Sequence, residues 1–131
     1  MHKPALLLIC GLAAVCRLSI AGEGDDQPGQ WDAVHAKYII HSGSATYAEP
    51  PTKSDRALTV LIDGNAAKEV FDLIGPDAHP QCSPDNRDRE RRRKGVECTY
   101  TAQLNDPKDS HYRCWIGINL RTGDGDVRVA C

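Results

Sequence analysis

An α+β fold follows from three observations on this 131-residue chain. Segments in which apolar residues alternate recur before and after one segment with helical spacing. That helical segment runs into Gly75-Pro76, a stop signal. Cys82, Cys98, Cys114 and Cys131 then fall at near-regular intervals of a strand plus a turn. The expected architecture is a single small domain, a mainly antiparallel sheet of about five strands with one helix packed on one face, closed by two disulfides.

The first strand is expected where Ala36, Tyr38 and Ile40 alternate with Lys37, Ile39 and His41. Residues 42–55 contain Gly43, Pro50 and Pro51 and read as a long loop. Leu58, Val60 and Ile62 alternate with Thr59 and Leu61, apolar on both sides as in a central strand. The helix follows, with Asp63 or Asn65 as its cap. Ala66, Val70, Leu73 and Ile74 form its apolar stripe, and Ala67 and Phe71 widen it. Residues 76–94 read as a polar connection ending in a basic run. Three strands close the chain, at residues 96–103, 112–121 and 127–131, separated by turn sequences at Asn105-Asp106-Pro107 and Thr122-Gly123-Asp124-Gly125. The last two are expected to form a hairpin.

The amino terminus sets the compartment. His2 and Lys3 precede an apolar run over residues 5–15, and Ser19-Ile20-Ala21 is a small-x-small site for signal peptidase. We expect cleavage after Ala21, a flexible segment over residues 22–34 and one disulfide-stabilised domain over residues 35–131. The apolar run is shorter than the about 20 residues of a membrane helix, so no transmembrane segment is expected after cleavage. Cys10 and Cys16 leave with the signal, and four cysteines stay. Signal and even cysteine count together place the protein in the periplasm or outside the cell. The mature chain carries 14 basic and 18 acidic side chains, net −4, which argues against nucleic acid as a partner.

Four cysteines allow three connectivities. Cys98, Cys114 and Cys131 share an inward parity. A tight turn at Thr122-Gly123 sets Cys114 opposite Cys131, whereas a turn at Asp124-Gly125 shifts the register. The pairing we favour is Cys82–Cys98 with Cys114–Cys131; its rival is Cys98–Cys114 with Cys82–Cys131. No pair has the C-x-x-C spacing of redox or zinc sites.

Two surfaces are candidates for binding. Residues 87–94 hold six basic and two acidic side chains, and Arg91, Arg92 and Arg93 suit an anionic surface such as phospholipid or lipopolysaccharide; the plainer alternative is a solvated loop. On the outer face of the strand at 112–121, Arg113, Trp115, Asn119 and Arg121 combine interface-prone residue types around a notch at Gly117. Asp124 and Asp126 lack the remaining ligands of a calcium loop. His35, His41, His79 and His111 show no metal-ligand spacing, and Ser42-Gly43-Ser44 lacks a nucleophile-elbow context. No metal, cofactor or catalytic residue is assigned, and the chain is expected not to be an enzyme.

Ser54-Asp55-Arg56, the helix end at residues 71–77, Lys94-Gly95, Cys98-Thr99-Tyr100, Tyr112-Arg113-Cys114, Leu120-Arg121-Thr122-Gly123 and the final Cys131 resemble a group of small exported, disulfide-containing bacterial proteins of unassigned function. The resemblance covers residues 38–131 and implies export and a disulfide frame only. The expectation that follows is a non-enzymatic binding protein with a protein partner in or outside the cell envelope, an inhibitor or immunity protein being specific forms. Attachment to anionic lipid or lipopolysaccharide through the basic run is the alternative, and a small hydrolase the third reading.

Overall fold

Alternating apolar side chains build four of the five strands, and an all-charged run builds the fifth. A computed structural model describes residues 29–79, 81–103, 105–106 and 111–131; the signal peptide expected over residues 1–21 lies outside them. The chain divides into two compact units, Met1–Asp32 and Ala33–Cys131, and the described strands and helix belong to the second. They are β1 (Ala36–His41), β2 (Ala57–Asp63), α1 (Gly64–Leu73), β3 (Arg89–Arg93), β4 (Val96–Thr101) and β5 (His111–Asn119). The five strands form one sheet in the order β1-β2-β5-β4-β3, with every neighbouring pair antiparallel. No helix among the described residues is long and apolar enough to cross a membrane.

Strand parity sorts the side chains. Ala36, Tyr38 and Ile40 stand in register with Ile62, Val60 and Leu58. These stand opposite Cys114, Ile116 and Ile118, and Cys114 and Ile116 opposite Cys98 and Val96. Ala67 and Phe71 of α1 join Ile62, Cys98 and Cys114 in the buried core. The helix starts without a side-chain cap, and the Asp63 Oδ1 instead meets His35 Nδ1 at 2.8 Å. It ends as expected at Gly75, whose φ of +118° disfavours any other residue.

The basic run forms β3 rather than a loop. Its odd residues share the face of Cys98, with Arg91 opposite Cys98 and Arg89 opposite Tyr100. The Arg91 and Arg89 guanidinium carbons lie 4.3 and 5.2 Å from the centre of the Phe71 ring. Tyr112 meets the same ring edge-on at 5.3 Å. Stacking of this kind lets an arginine stem do what an apolar side chain does elsewhere in the sheet.

The expected final strand does not form. The strand order gives the reason: β5 already has β2 on one side and β4 on the other, so no edge remains for a hairpin partner. The turn is made, with Gly123 N–H donating to Asn119 O at 2.8 Å and Asn119 N–H to Asp124 O at 2.8 Å. Only a single bridge, Ile118 with Gly125, follows it. The tail then leaves the ladder. Asp126 N–H donates to Gly117 O at 2.9 Å, and Arg128 O accepts from Ala45 N–H at 2.8 Å.

The disulfides correct the favoured connectivity. Cys98 and Cys114 face each other across β4 and β5, with Cα atoms 4.0 Å apart. Cys131, carried away by the tail, pairs with Cys82 at a Cα separation of 5.2 Å. Cys82–Cys98 and Cys114–Cys131 are therefore absent and the rival pairing is the one found. The first bridge is fully buried, while both cysteines of the second are exposed. Two disulfides are compatible with an oxidising compartment.

Candidate functional site

The residues expected to form one binding face separate into three environments. Trp115 lies half-buried on β5 between Leu61 and Glu97 in register. Arg113 is exposed, with Asp63 and Thr99 as its cross-strand neighbours. Asn119 is a turn residue, its Oδ1 accepting from the Arg121 and Thr122 N–H groups at 2.9 and 3.3 Å. Arg121 holds a loop in place, Nη1 donating to Ser54 O at 2.9 Å. The notch expected at Gly117 is filled by the protein's own tail: a Cβ there would collide with the Asp126 carbonyl and come within 2.6 Å of Val127 Cα. Arg113 and Trp115 alone remain together as open surface.

The basic run is mostly neutralised within the fold. Arg89 grips Asp77 with two N–H donors at 2.8 and 3.1 Å. Arg91 adds a third at 2.8 Å and also donates to Phe71 O at 2.7 Å. The two guanidinium groups, Arg89 first, pull the Asp77 carboxyl down from its usual range to about 2. Arg87 pairs with Asp85, and Lys94 with Asp124. Arg92 pairs with Glu90 and, at 3.3 Å, with Glu97. Of the three arginines singled out in the sequence, only Arg93 has no carboxylate within ion-pair reach among the described residues; its guanidinium rests against Gly75.

Glu90 and Glu97 are buried below the exposed disulfide. Glu90 Oε2 accepts from Cys82 N–H at 2.9 Å. Burial pushes the Glu97 carboxyl up, Arg92 opposes this, and Glu90 adds to it. Ligand atoms of Cys82, Glu90 and Glu97 lie within 4.8 Å of one another. The Cys82 sulfur is committed to Cys131, however, and the Arg92 guanidinium already serves as counter-ion. The group reads as a buried ion cluster that anchors the Cys82 loop to β3 and β4.

His41 and the neighbouring serines are engaged within the fold. His41 is fully buried. Its Nδ1 donates to Ser42 O at 3.2 Å, so its Nε2, 2.9 Å from Thr59 Oγ1, accepts. Ser42 Oγ donates to Pro50 O, and Ser44 Oγ to Arg128 O. Asp126, weighed as a calcium ligand, pairs with Arg128 at 2.7 Å.

Sequence reading missed the surface around β1. Tyr38 is 74% and Ile40 48% exposed, although both share their sheet face with the core residues Ile62 and Cys114 by register. Ile118, in the same row as Ile40 and Leu58, is 37% exposed. On the other face, Lys37, Ile39, Thr59, Leu61 and Trp115 line an open hollow of about 190 Å³. β1 is the end strand of the sheet, so both apolar surfaces meet at a strand edge that no other described strand pairs with. The signal in the sequence was the run Tyr38-Ile39-Ile40, apolar on both parities in a strand that has only one neighbour.

No family model matches this chain, and neither a curated protein nor a solved structure is matched.

Proposed function

We propose that this chain is an exported, non-enzymatic binding domain whose partner is another protein of the cell envelope or of the extracellular space. The observation that carries the reading is the apolar edge at β1, which no described strand pairs with. In this reading α1 lies on one face of the sheet and covers the side where Phe71, Cys98 and Cys114 meet. The β1 end of that same face, bearing Tyr38, Ile40 and Ile118, is left for a partner. Soluble proteins usually blunt a sheet edge with charge, proline or a covering loop. Exposed large apolar residues on a cross-linked frame are what a recognition surface requires. The two disulfides suit an oxidising compartment, and inhibition or immunity remains a specific form of this reading by size and compartment alone.

Attachment to anionic lipid has less support, since Arg91 and Arg92 are spent on Asp77, Phe71, Glu90 and Glu97.

The test is a crosslinking capture of the oxidised protein from its own cell envelope, after intact mass has checked cleavage after Ala21. Wild type is compared with a Tyr38→Ala/Ile40→Ala double variant of matched thermal stability. A stoichiometric protein partner that the double variant loses supports the reading. Recovery of lipid or lipopolysaccharide alone, or of a partner indifferent to both substitutions, overturns it.

A further inference from the structure

We infer that the hollow beside Trp115 seats an apolar side chain of the partner flanked by carboxylates, and that it selects an acidic protein segment. The inference rests on the protein-binding reading above and names the chemistry that the site would recognise.

The hollow is floored by Ile39, Leu61 and Trp115 with Thr59, and its volume of about 190 Å³ is that of one or two side chains. One sheet row, Lys37–Leu61–Trp115–Glu97–Arg92, crosses all five strands. Its single carboxylate, Glu97, is drawn to Arg92 at the far end. Lys37 at the near end therefore has no counter-charge, and no carboxylate is within ion-pair reach of it among the described residues. Arg113 is in the same position. The nearest acid in register is Asp63, and that carboxylate is engaged by His35 at 2.8 Å. Elsewhere in this net-acidic fold Lys68 is matched with Asp72, Arg87 with Asp85, Arg89 and Arg91 with Asp77, and Arg128 with Asp55 and Asp126, while Lys53, Arg56, Arg93 and Arg121 stand at other places on the surface without an ion pair among the described residues. Lys37 lines the hollow, and Arg113 stands two residues from Trp115 on the same face of β5, so two cations without an ion pair among the described residues accompany the apolar seat.

Charge complementarity decides the occupant. Carboxylates of a bound segment would meet Lys37 and Arg113 while an apolar side chain enters the hollow. A second copy docking by its own β1 is disfavoured, because residues 36–41 contain no carboxylate.

The test uses a Trp31→Phe background, so that Trp115 is the sole reporter; Trp31 is 98% exposed. Two synthetic nine-residue peptides serve as probes. One carries a central Leu with Glu on both sides in a Ser/Gly sequence, and the other has Lys in place of Glu. The expected result is a saturable change of Trp115 emission with the Glu peptide and binding at least about tenfold weaker with the Lys peptide. A Lys37→Glu/Arg113→Glu variant should invert that preference. Should this variant fold poorly, Lys37→Gln/Arg113→Gln is expected to erase the preference without inverting it. Equal binding of the two peptides, no saturable change up to about 5 mM, or a preference indifferent to the charge substitutions overturns the inference. A dimer in sedimentation that the charge reversal disperses also overturns it, in favour of self-association. Envelope capture that still depends on Tyr38 and Ile40 while the peptides fail would leave the protein-binding reading intact and remove only the hollow as its seat.

Discussion

The two edges of the sheet are opposites. β3 reads Arg-Glu-Arg-Arg-Arg and β1 reads Ala-Lys-Tyr-Ile-Ile-His. By composition, β3 looks like a solvated loop or a docking patch and β1 like a strand for the interior. In the fold β3 is tied down: Arg89 and Arg91 clamp Asp77 and cover Phe71, Arg92 joins Glu90 and Glu97, and the Cys82 loop is bonded to Glu90. Among the described strands β1 has β2 as its only neighbour, and Tyr38, Ile39 and Ile40 are exposed. The charged edge is structural and the apolar edge is available. Charge is a common way to keep a sheet edge from pairing with another chain, and its scarcity on β1 is the contrast on which the proposed binding role rests.

The largest expected effect tests whether β3 owes its place to the core. Phe71→Ala removes a fully buried ring together with the surface on which Arg89 and Arg91 stack. A loss of about 3–5 kcal/mol is expected from urea denaturation. In hydrogen exchange the β3 amides should fall to the protection of the β1 amides. Preserved β3 protection in this variant would show that the Asp77 clamp alone holds the edge, and would sharpen the comparison toward charge.

A smaller effect comes from acid. The Asp77 carboxyl is held at about 2 in the folded protein against a usual value of 3.8. A depressed carboxyl contributes stability above its unfolded pKa and loses it as pH falls through the folded one. The contribution of Asp77 is therefore full above about pH 4 and fades toward pH 2. With the carboxylate 30% exposed, on the order of 1–2 kcal/mol is expected after allowance for solvent screening. Glu97, pushed up by burial, works with the opposite sign, so wild type alone does not isolate Asp77. Denaturation of Asp77→Asn across this window does: its stability should fall less steeply than that of wild type. Parallel slopes would remove the clamp from the account of the β3 edge.

How much of this was legible follows from where the information lies. β1, β2, α1, β4 and β5 announce themselves by local periodicity, and the helix stop at Gly75-Pro76 is local too. β3 is not local: its arginines become strand residues only because Phe71 and Asp77 wait more than ten positions upstream. The disulfide pairing turns on strand order. Parity alone set Cys98, Cys114 and Cys131 on one face, but the place of β5 between β2 and β4 sends Cys131 away to Cys82. The same order explains the binding face. Arg113 and Trp115 have the parity opposite to the core residue Cys114, and nothing near them in sequence indicates that residues 126–127 would fill the Gly117 notch.

The smallest expected change in stability is at β1, and it separates the two edges most cleanly. Tyr38→Thr/Ile40→Thr replaces two exposed apolar side chains with a residue that keeps strand propensity. Because neither side chain belongs to the buried core, little apolar area is returned to water that is not already there. The unfolding free energy from urea denaturation should then change by no more than about 0.5 kcal/mol per site. Binding of a hydrophobic dye to the folded protein should fall, since the patch that attracts it has gone. A loss above about 2 kcal/mol would mean that these side chains pack in the folded state as core residues do. β1 would then be a protected edge like β3, and the contrast between the edges would no longer indicate where a partner binds.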